Sequence, residues 1–320
     1  MIVDSSKIEV WRRLVAGESL GDLLLPKKEG RIDLSGLVLD NPRILEQWQT
    51  SLADVARIEP NAVFRNAKLQ NLDLTGSKLR SVHVMDCEIR NCCFDRCDMS
   101  GLRLSATTIH ESSFRQANLR GIALGAASVT GPVAGRRNSF AGVDFSGADL
   151  RDTIYVAASF EHCNFSYAKL ANIKFGTSTF SDCKFAGELR HVQFWRSDLF
   201  ARGFAVDAFP PNEMANVDFS RAVLRDVEFR GLTLDRVCFP GDTEHLVIRD
   251  FPNVLDRLID ALARQGDETA RLLEAFLGAY RKWTVPGAIG ILNKQDLLEA
   301  GSDAVEREVG LLDQFAAKAQ

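Results

Sequence analysis

Large apolar residues recur along this chain at every fifth position. Counting from Phe64 gives Leu69, Leu74, Leu79, Val84, Ile89, Phe94, Met99, Leu104, Ile109, Phe114, Leu119, Leu124 and Val129, fourteen consecutive fifth positions that are all apolar. At 46% apolar residues overall, such a run at a preset spacing has a chance of roughly two in a hundred thousand. One place earlier the same count gives only three apolar residues, Val63, Cys93 and Ala123. Two places earlier the chain favours small residues, among them Ala62, Ala67, Ser77, Cys87, Cys92, Cys97, Ser112, Ala117 and Ala127. The unit therefore reads small, polar, large apolar, polar, polar. A period of five matches neither the 3.6 of a helix nor the 2 of a strand, so the chain must turn a corner in every unit, which predicts a solenoid.

The phase slips by one residue across GPVAGRRNSF (131–140) and resumes through Phe145, Leu150, Tyr155, Phe160, Phe165, Leu170, Phe175, Phe180 and Phe185. After one four-residue unit it continues as Leu189, Phe194, Leu199, Phe204, Phe209, Met214, Phe219, Leu224, Phe229, Leu234 and Phe239. Upstream, Leu34, Leu39 and Ile44 share the phase of Phe64. Units such as NAKLQ, NLDLT, QANLR and SGADL resemble the A(D/N)LXX repeat of the pentapeptide-repeat family over about residues 30–240. The resemblance implies a mainly β fold, a right-handed four-sided parallel β-helix. If four units make one coil, residues 20 apart stack at the ~4.8 Å spacing of strands. Lys68 then lies beside Glu88, Lys78 beside Asp98 and Asp149 beside Lys169, each an opposite-charge neighbour. Inward, Phe145, Phe165 and Phe185 form one column, Phe160 and Phe180 a second, and Tyr155 and Phe175 a third.

Open ends of a β-helix present unpaired strand edges and need covers. Within residues 1–29, SSKIEVWRRLVAG carries Ser6 with Glu9 three residues on, a capping box that opens a short helix and sets Trp11, Leu14 and Val15 on the first coil. After Pro42, Leu45, Trp48, Leu52 and Val55 fall at helical spacing and predict a helix inserted near 45–60. Further insertions are expected near 131–139 and 200–214. From 241 to 320 the pattern becomes amphipathic helices, NVLDRLIDALARQ and ETARLLEAFLGAYRKW, then Pro286, a glycine-rich turn and a last helix near DAVEREVGLLDQF. This α-helical C-terminal region is expected to cap the last coil, and an apolar face left over would suit a homodimer.

Candidate chemistry centres on DCEIRNCCFDRC, which holds four of the seven cysteines. In the five-residue register Cys87, Cys92 and Cys97 occupy the small inward position of successive units, as do Cys163 and Cys183, whereas Cys93 points outward. Cysteine there serves as a small apolar residue. Three inward sulfurs in one coil would also surround the axis at one level, where a soft metal could bind. A fourth ligand is missing, since that layer's remaining position holds Val82 or Leu102. His83, His110, His162, His191 and His245 show no partner spacing for a base or a metal, and there is no GxSxG, HExxH or phosphate-binding loop. The expectation is no enzyme, no metal and no cofactor.

The net charge of −4 favours neither nucleic acid nor membrane as a partner. Residues 61–240 hold 22 Lys+Arg against 19 Asp+Glu, and residues 241–320 hold 9 against 14. No segment reaches the ~20 apolar residues of a membrane span, and MIVDSSKIEVWRR lacks the form of a signal peptide, so a cytoplasmic protein is expected. Solenoids bind on extended faces and projecting loops, which points to a protein partner. The loop residues singled out for it are Arg136, Arg137 and Asn138, and Phe209 and Glu213. The resemblance also implies an alternative. Some members of the family mimic DNA, bind DNA gyrase or topoisomerase IV and protect it from quinolones or other poisons, and associate as dimers through C-terminal helices. A mimic of DNA should be acidic along its length, and a net of +3 over 61–240 departs from that.

Overall fold

The computed structural model describes residues 5–20, 23, 25–39, 63–80, 82–124, 136–153, 158–176, 178–197, 210–300 and 310. Short parallel strands pair in the expected register of 20. Lys68 aligns with Glu88 and Glu88 with Thr108 on one face, and Val63, His83, Arg103 and Ala123 align in turn on another. Four five-residue units therefore make one coil, and the chain is a four-sided parallel β-helix.

Among the described residues the register departs from 20 at several places. Ile32 pairs with Leu72, an offset of 40; Thr108 with Ser139, 31; Lys184 with Asp218, 34; and Leu170 with Leu189, 19. The first three are one coil plus inserted chain, and the fourth is the four-residue unit; from Ala186 on the offset of 34 becomes 35. The helix expected near 45–60, Tyr155, Phe209 and the last helix near 303–315 lie outside the described residues.

Corners explain the rest of the unit. The second residue after the inward apolar one takes a left-handed conformation in coil after coil, as at Asn66, Asn71, Asp86 and Asn91 (φ 51–54°) and at Gly76 and Gly147 (φ 69° and 68°). Asn, Asp and Gly tolerate this region best, hence their frequency there. Where the residue just before the apolar one is Asp or Asn, its side chain can accept the N–H two residues on. Asp73 Oδ1 takes the N–H of Thr75 at 2.9 Å, Asp144 that of Ser146 at 2.9 Å, and Asp218 that of Ser220 at 2.8 Å.

Inside, phenylalanines stack along the axis. Phe94, Phe114, Phe145, Phe165, Phe185 and Phe219 form one continuous ladder with centroids 4.7–5.4 Å apart and interplanar angles of 6–18°. Phe140, Phe160 and Phe180 form a second, and Phe175, Phe194 and Phe229 a third. The first ladder is longer than the three-ring column read from the sequence, because the 31- and 34-residue offsets bring Phe114 onto Phe145 and Phe185 onto Phe219. The outward charges behave less simply. Lys78 and Asp98 are backbone neighbours, yet the Asp98 carboxylate bonds Arg80 at 2.6 Å, and Asp149 likewise takes Arg151 at 2.6 Å.

At the N-terminal end helix α1 (Ser5–Ala16) lays Trp11 edge-on against Phe64 at 5.0 Å. The helix already includes Ser5, and Glu9 gives its carboxylate to Arg12 and Arg13 at 2.9 and 2.8 Å. At the other end α2 (Phe251–Gln265) and α3 (Glu268–Arg281) match the predicted helices. The tail is not wholly helical, however. His245–Ile248 and Gly290–Asn293 pair as an antiparallel ribbon, followed by α4 (Lys294–Ala300). The ribbon and helices enclose a second apolar core that includes Leu246, Phe251, Leu255, Leu258, Leu273, Leu277 and Leu292. Polar contacts tie it to the last coil: Leu224 N–H donates to His245 Nε2 (3.0 Å), and Arg225 donates to Asp296 (2.5 Å) and Glu299 (2.6 Å).

Candidate binding faces and the cysteine positions

The inward cysteines are part of the ladder. Ala67 N–H donates to Cys87 Sγ (3.4 Å), Cys87 N–H to Thr107 Oγ1 (3.5 Å) and Thr107 N–H to Asn138 Oδ1 (2.9 Å), so one column of small side chains collects N–H groups from coil to coil. In the next column Cys92 N–H donates to Ser112 Oγ (3.1 Å). The thiols also donate: Cys92 to Leu69 O (3.5 Å), Cys97 to Leu74 O (2.9 Å), and Cys163 and Cys183 to Phe140 O (3.5 Å) and Phe160 O (3.4 Å). A thiol makes these bonds only while protonated. Burial pushes Cys87 up, Cys92 up to about 11 and Cys97 up to about 12. The group a soft metal needs, a thiolate, is disfavoured there. Among the described residues no group of three or more His, Cys, Asp or Glu side chains could hold a metal.

The loop residues singled out from the sequence separate. Asn138 is wholly buried, and besides accepting from Thr107 it donates to Leu104 O at 3.1 Å. It is a rung of the core and cannot face a partner; the aligned strand Asn138–Ala141 begins at this residue, inside the insertion expected near 131–139. Arg136 is half exposed and bonds Asp86 at 2.6 Å, which raises its pKa. Burial lowers that of Arg137. Glu213 is exposed and paired with Arg196 at 3.2 Å. Phe209 lies outside the described residues.

The faces differ in a way the sequence count hid. Much of the aspartate elsewhere closes corners, as above. The exception is the face built on Lys68–Gln70, Glu88–Arg90, Thr108–His110, Asn138–Ala141, Ala158–Glu161 and Thr179–Ser181. Over its last five coils, at residues 108–111, 139–142, 159–162, 179–182 and 213–216, it presents Glu111, Glu161, Asp182 and Glu213 and neither lysine nor arginine. All four are exposed. At one coil per ~4.8 Å this row runs ~19 Å along the axis. Sequence counting missed it because the 31- and 34-residue offsets conceal that Glu111, Glu161 and Glu213 share a side. The described interior is packed by phenylalanine, and two cavities among the described residues lie where the solenoid meets its C-terminal cap.

The family model for pentapeptide repeats matches in eight copies, over residues 60–83, 85–121 and 139–182. Among curated proteins, the pentapeptide repeat protein MfpA of Mycobacterium tuberculosis is 33% identical over 96 residues, covering 30% of this chain and 52% of its own length. The chain thus spans about half the length of that relative. Among solved structures, trypsin-treated QnrB1, a plasmid-mediated fluoroquinolone resistance protein, matches at 16% identity over 52% of this chain and 83% of its own, with a TM-score of 0.30. Rfr23, a pentapeptide repeat protein from the cyanobacterium Cyanothece 51142, matches at 11% identity over 59% of this chain and 99% of its own, with a TM-score of 0.26. No helix among the described residues is long and apolar enough to cross a membrane. With its twenty-residue coils, A(D/N)LXX corners and eight matched copies, the chain carries pentapeptide repeats over residues 60–83, 85–121 and 139–182.

Proposed function

We propose that the protein is a non-enzymatic scaffold that binds a protein partner along the acidic end of its six-strand face. The observation that carries this is the row Glu111, Glu161, Asp182 and Glu213, on a face whose own positions over those coils hold no lysine or arginine, with Arg196 pairing Glu213 at its end at 3.2 Å. Such a row selects a basic surface and speeds its approach. The test is affinity capture from the native cell with quantitative mass spectrometry, in the cytoplasmic fraction where the protein is expected. One stoichiometric partner with a basic surface agrees with the proposal, and an empty capture overturns it.

The same row favours a second reading, mimicry of DNA toward gyrase or topoisomerase IV. Its weight follows from charge density. Four charges over ~19 Å give about one per 5 Å, against one per ~1.7 Å in a duplex. The row is thus about a third as dense as the polyanion it would imitate, which ranks this reading second. A supercoiling assay with gyrase, with and without a quinolone, decides it: protection at stoichiometric protein supports mimicry and no effect removes it. A homodimer through the C-terminal helices would have to use exposed residues such as Leu272 on α3 and Leu298 on α4, since the buried face of α2 is spent inside the cap.

A further inference from the structure

Where the last coils meet α3, a cavity of about 350 Å³ opens between His191, Gln193, Asp226, Glu228 and Arg230 on the solenoid and Phe276, Tyr280 and Trp283 on the cap. Its volume is that of a small-ligand site. The arginine on its wall is already engaged: Arg230 lies against the rings of both Trp195 (4.8 Å) and Trp283 (4.4 Å) and bonds Glu228 at 2.7 Å. Acceptors, in contrast, exceed donors. Gln193 gives its amide N–H to Glu228 (2.8 Å) while its own Oε1 is buried without a hydrogen-bond partner. Asp226 meets only the Nδ1 of His191, at 3.2 Å, and its backbone N–H is held by a further carboxylate, Asp296, at 2.7 Å. Burial and Asp296 raise the Asp226 pKa, and burial with Asp226, Asp296 and Glu228 raises that of Tyr280. The walls therefore set the Asp226 and Glu228 carboxylates beside the rings of Phe276 and Tyr280, while the Trp283 ring is already covered by Arg230 and by Lys282 at 5.1 Å.

We infer that this cavity binds an organic cation, a guanidinium or alkylammonium group, seated between the Asp226 carboxylate and the rings of Phe276 and Tyr280. Carboxylate and ring face attract the same charge. The site lies at the cap, apart from the acidic row, and does not depend on it. The cation can come from a free amine or from an arginine of another protein, and two probes separate them. Agmatine and an N-acetylated, C-amidated Gly-Arg-Gly peptide are titrated into the full chain by calorimetry, with Trp fluorescence as a second signal. Saturable one-to-one binding of either, weakened at least tenfold by Asp226→Asn and by Phe276→Leu while both variants keep the wild-type melting curve, is the expected result. Binding of agmatine alone assigns a free amine, and binding of the peptide alone assigns a partner's side chain. No saturation by either up to about 10 mM, equal binding to sulfate, or binding unchanged in Asp226→Asn overturns the inference.

Discussion

Replacing Phe165 by alanine should be the most damaging single change in the solenoid. Phe165 is 1% exposed. Its ring stacks on Phe145 at 5.0 Å and on Phe185 at 4.8 Å, and meets Phe160 edge-on at 5.4 Å. Burial and cavity effects for Phe→Ala cost about 3–5 kcal/mol. The two lost stacks sit in the middle of a six-ring ladder and place the change at the upper end of that range. Phe229 ends its ladder, with one stacked neighbour at 5.4 Å and only partial burial, so Phe229→Ala should cost about half as much. Coils touch only their neighbours, so a break at Phe165 also weakens coupling between the two halves. Urea unfolding, followed by circular dichroism and by fluorescence of Trp11 at one end and Trp195 and Trp283 at the other, reads both effects. Wild type should unfold with coincident probes, and Phe165→Ala should separate them and shift the midpoint well below that of Phe229→Ala. A cost under about 1 kcal/mol, or one no larger than that of Phe229→Ala, would refute the idea that the stacked ladder holds the coils together.

Three further outcomes are expected. His83 is held neutral, down to about 4, by burial and then by Arg103. Its folded pKa lies below the unfolded one of ~6.5, so the folded state binds fewer protons, and its contribution is intact above pH ~6.5 and lost as pH falls toward 4. The loss amounts to at most about 3 kcal/mol; NMR titration should place the midpoint near 4, and His83→Gln should flatten the acid limb of stability. Native protein should give Cys238 to a thiol reagent quickly and Cys93 slowly, while Cys87, Cys92, Cys97, Cys163 and Cys183 react only in denaturant; fast modification of three or more thiols would contradict the register. Gly290→Ala would set a Cβ 2.1 Å from the Phe251 ring, so the cap should lose roughly 1–3 kcal/mol or more, whereas Gly241→Ala, with open space around it, should leave the melting temperature unchanged.

Much of the solenoid could be read because its unit is local. A five-residue period needs only the next coil to bury its apolar residue, so Phe64 to Leu124 announced the fold without any distant contact. What stayed hidden depends on how separate segments align. Nothing local tells Phe114 that its stacking partner is Phe145, 31 residues away, or places Glu111 and Glu161 on one side. The ribbon of His245–Ile248 and Gly290–Asn293 was missed for the same reason, since its strands are brought together by α2 and α3. Asn138 was misjudged because an amide beside two arginines looks like a loop, when its side chain fills a position where Cys87 and Thr107 stand in the coils before it. The cysteines were the reverse case, conspicuous in sequence and ordinary in the structure: their spacing is the pitch of the repeat.

The account rests most heavily on the acidic row as the surface a partner reads. Its most direct test repeats the capture with Glu111→Gln, Glu161→Gln and Asp182→Asn combined, which removes three exposed charges and leaves at the left-handed corner of Asp182 a residue that tolerates it, so the melting curve should stay close to that of wild type. The partner held by wild type should be lost, and its binding to wild type should weaken with salt. A partner retained in full by the folded triple variant would contradict the claim.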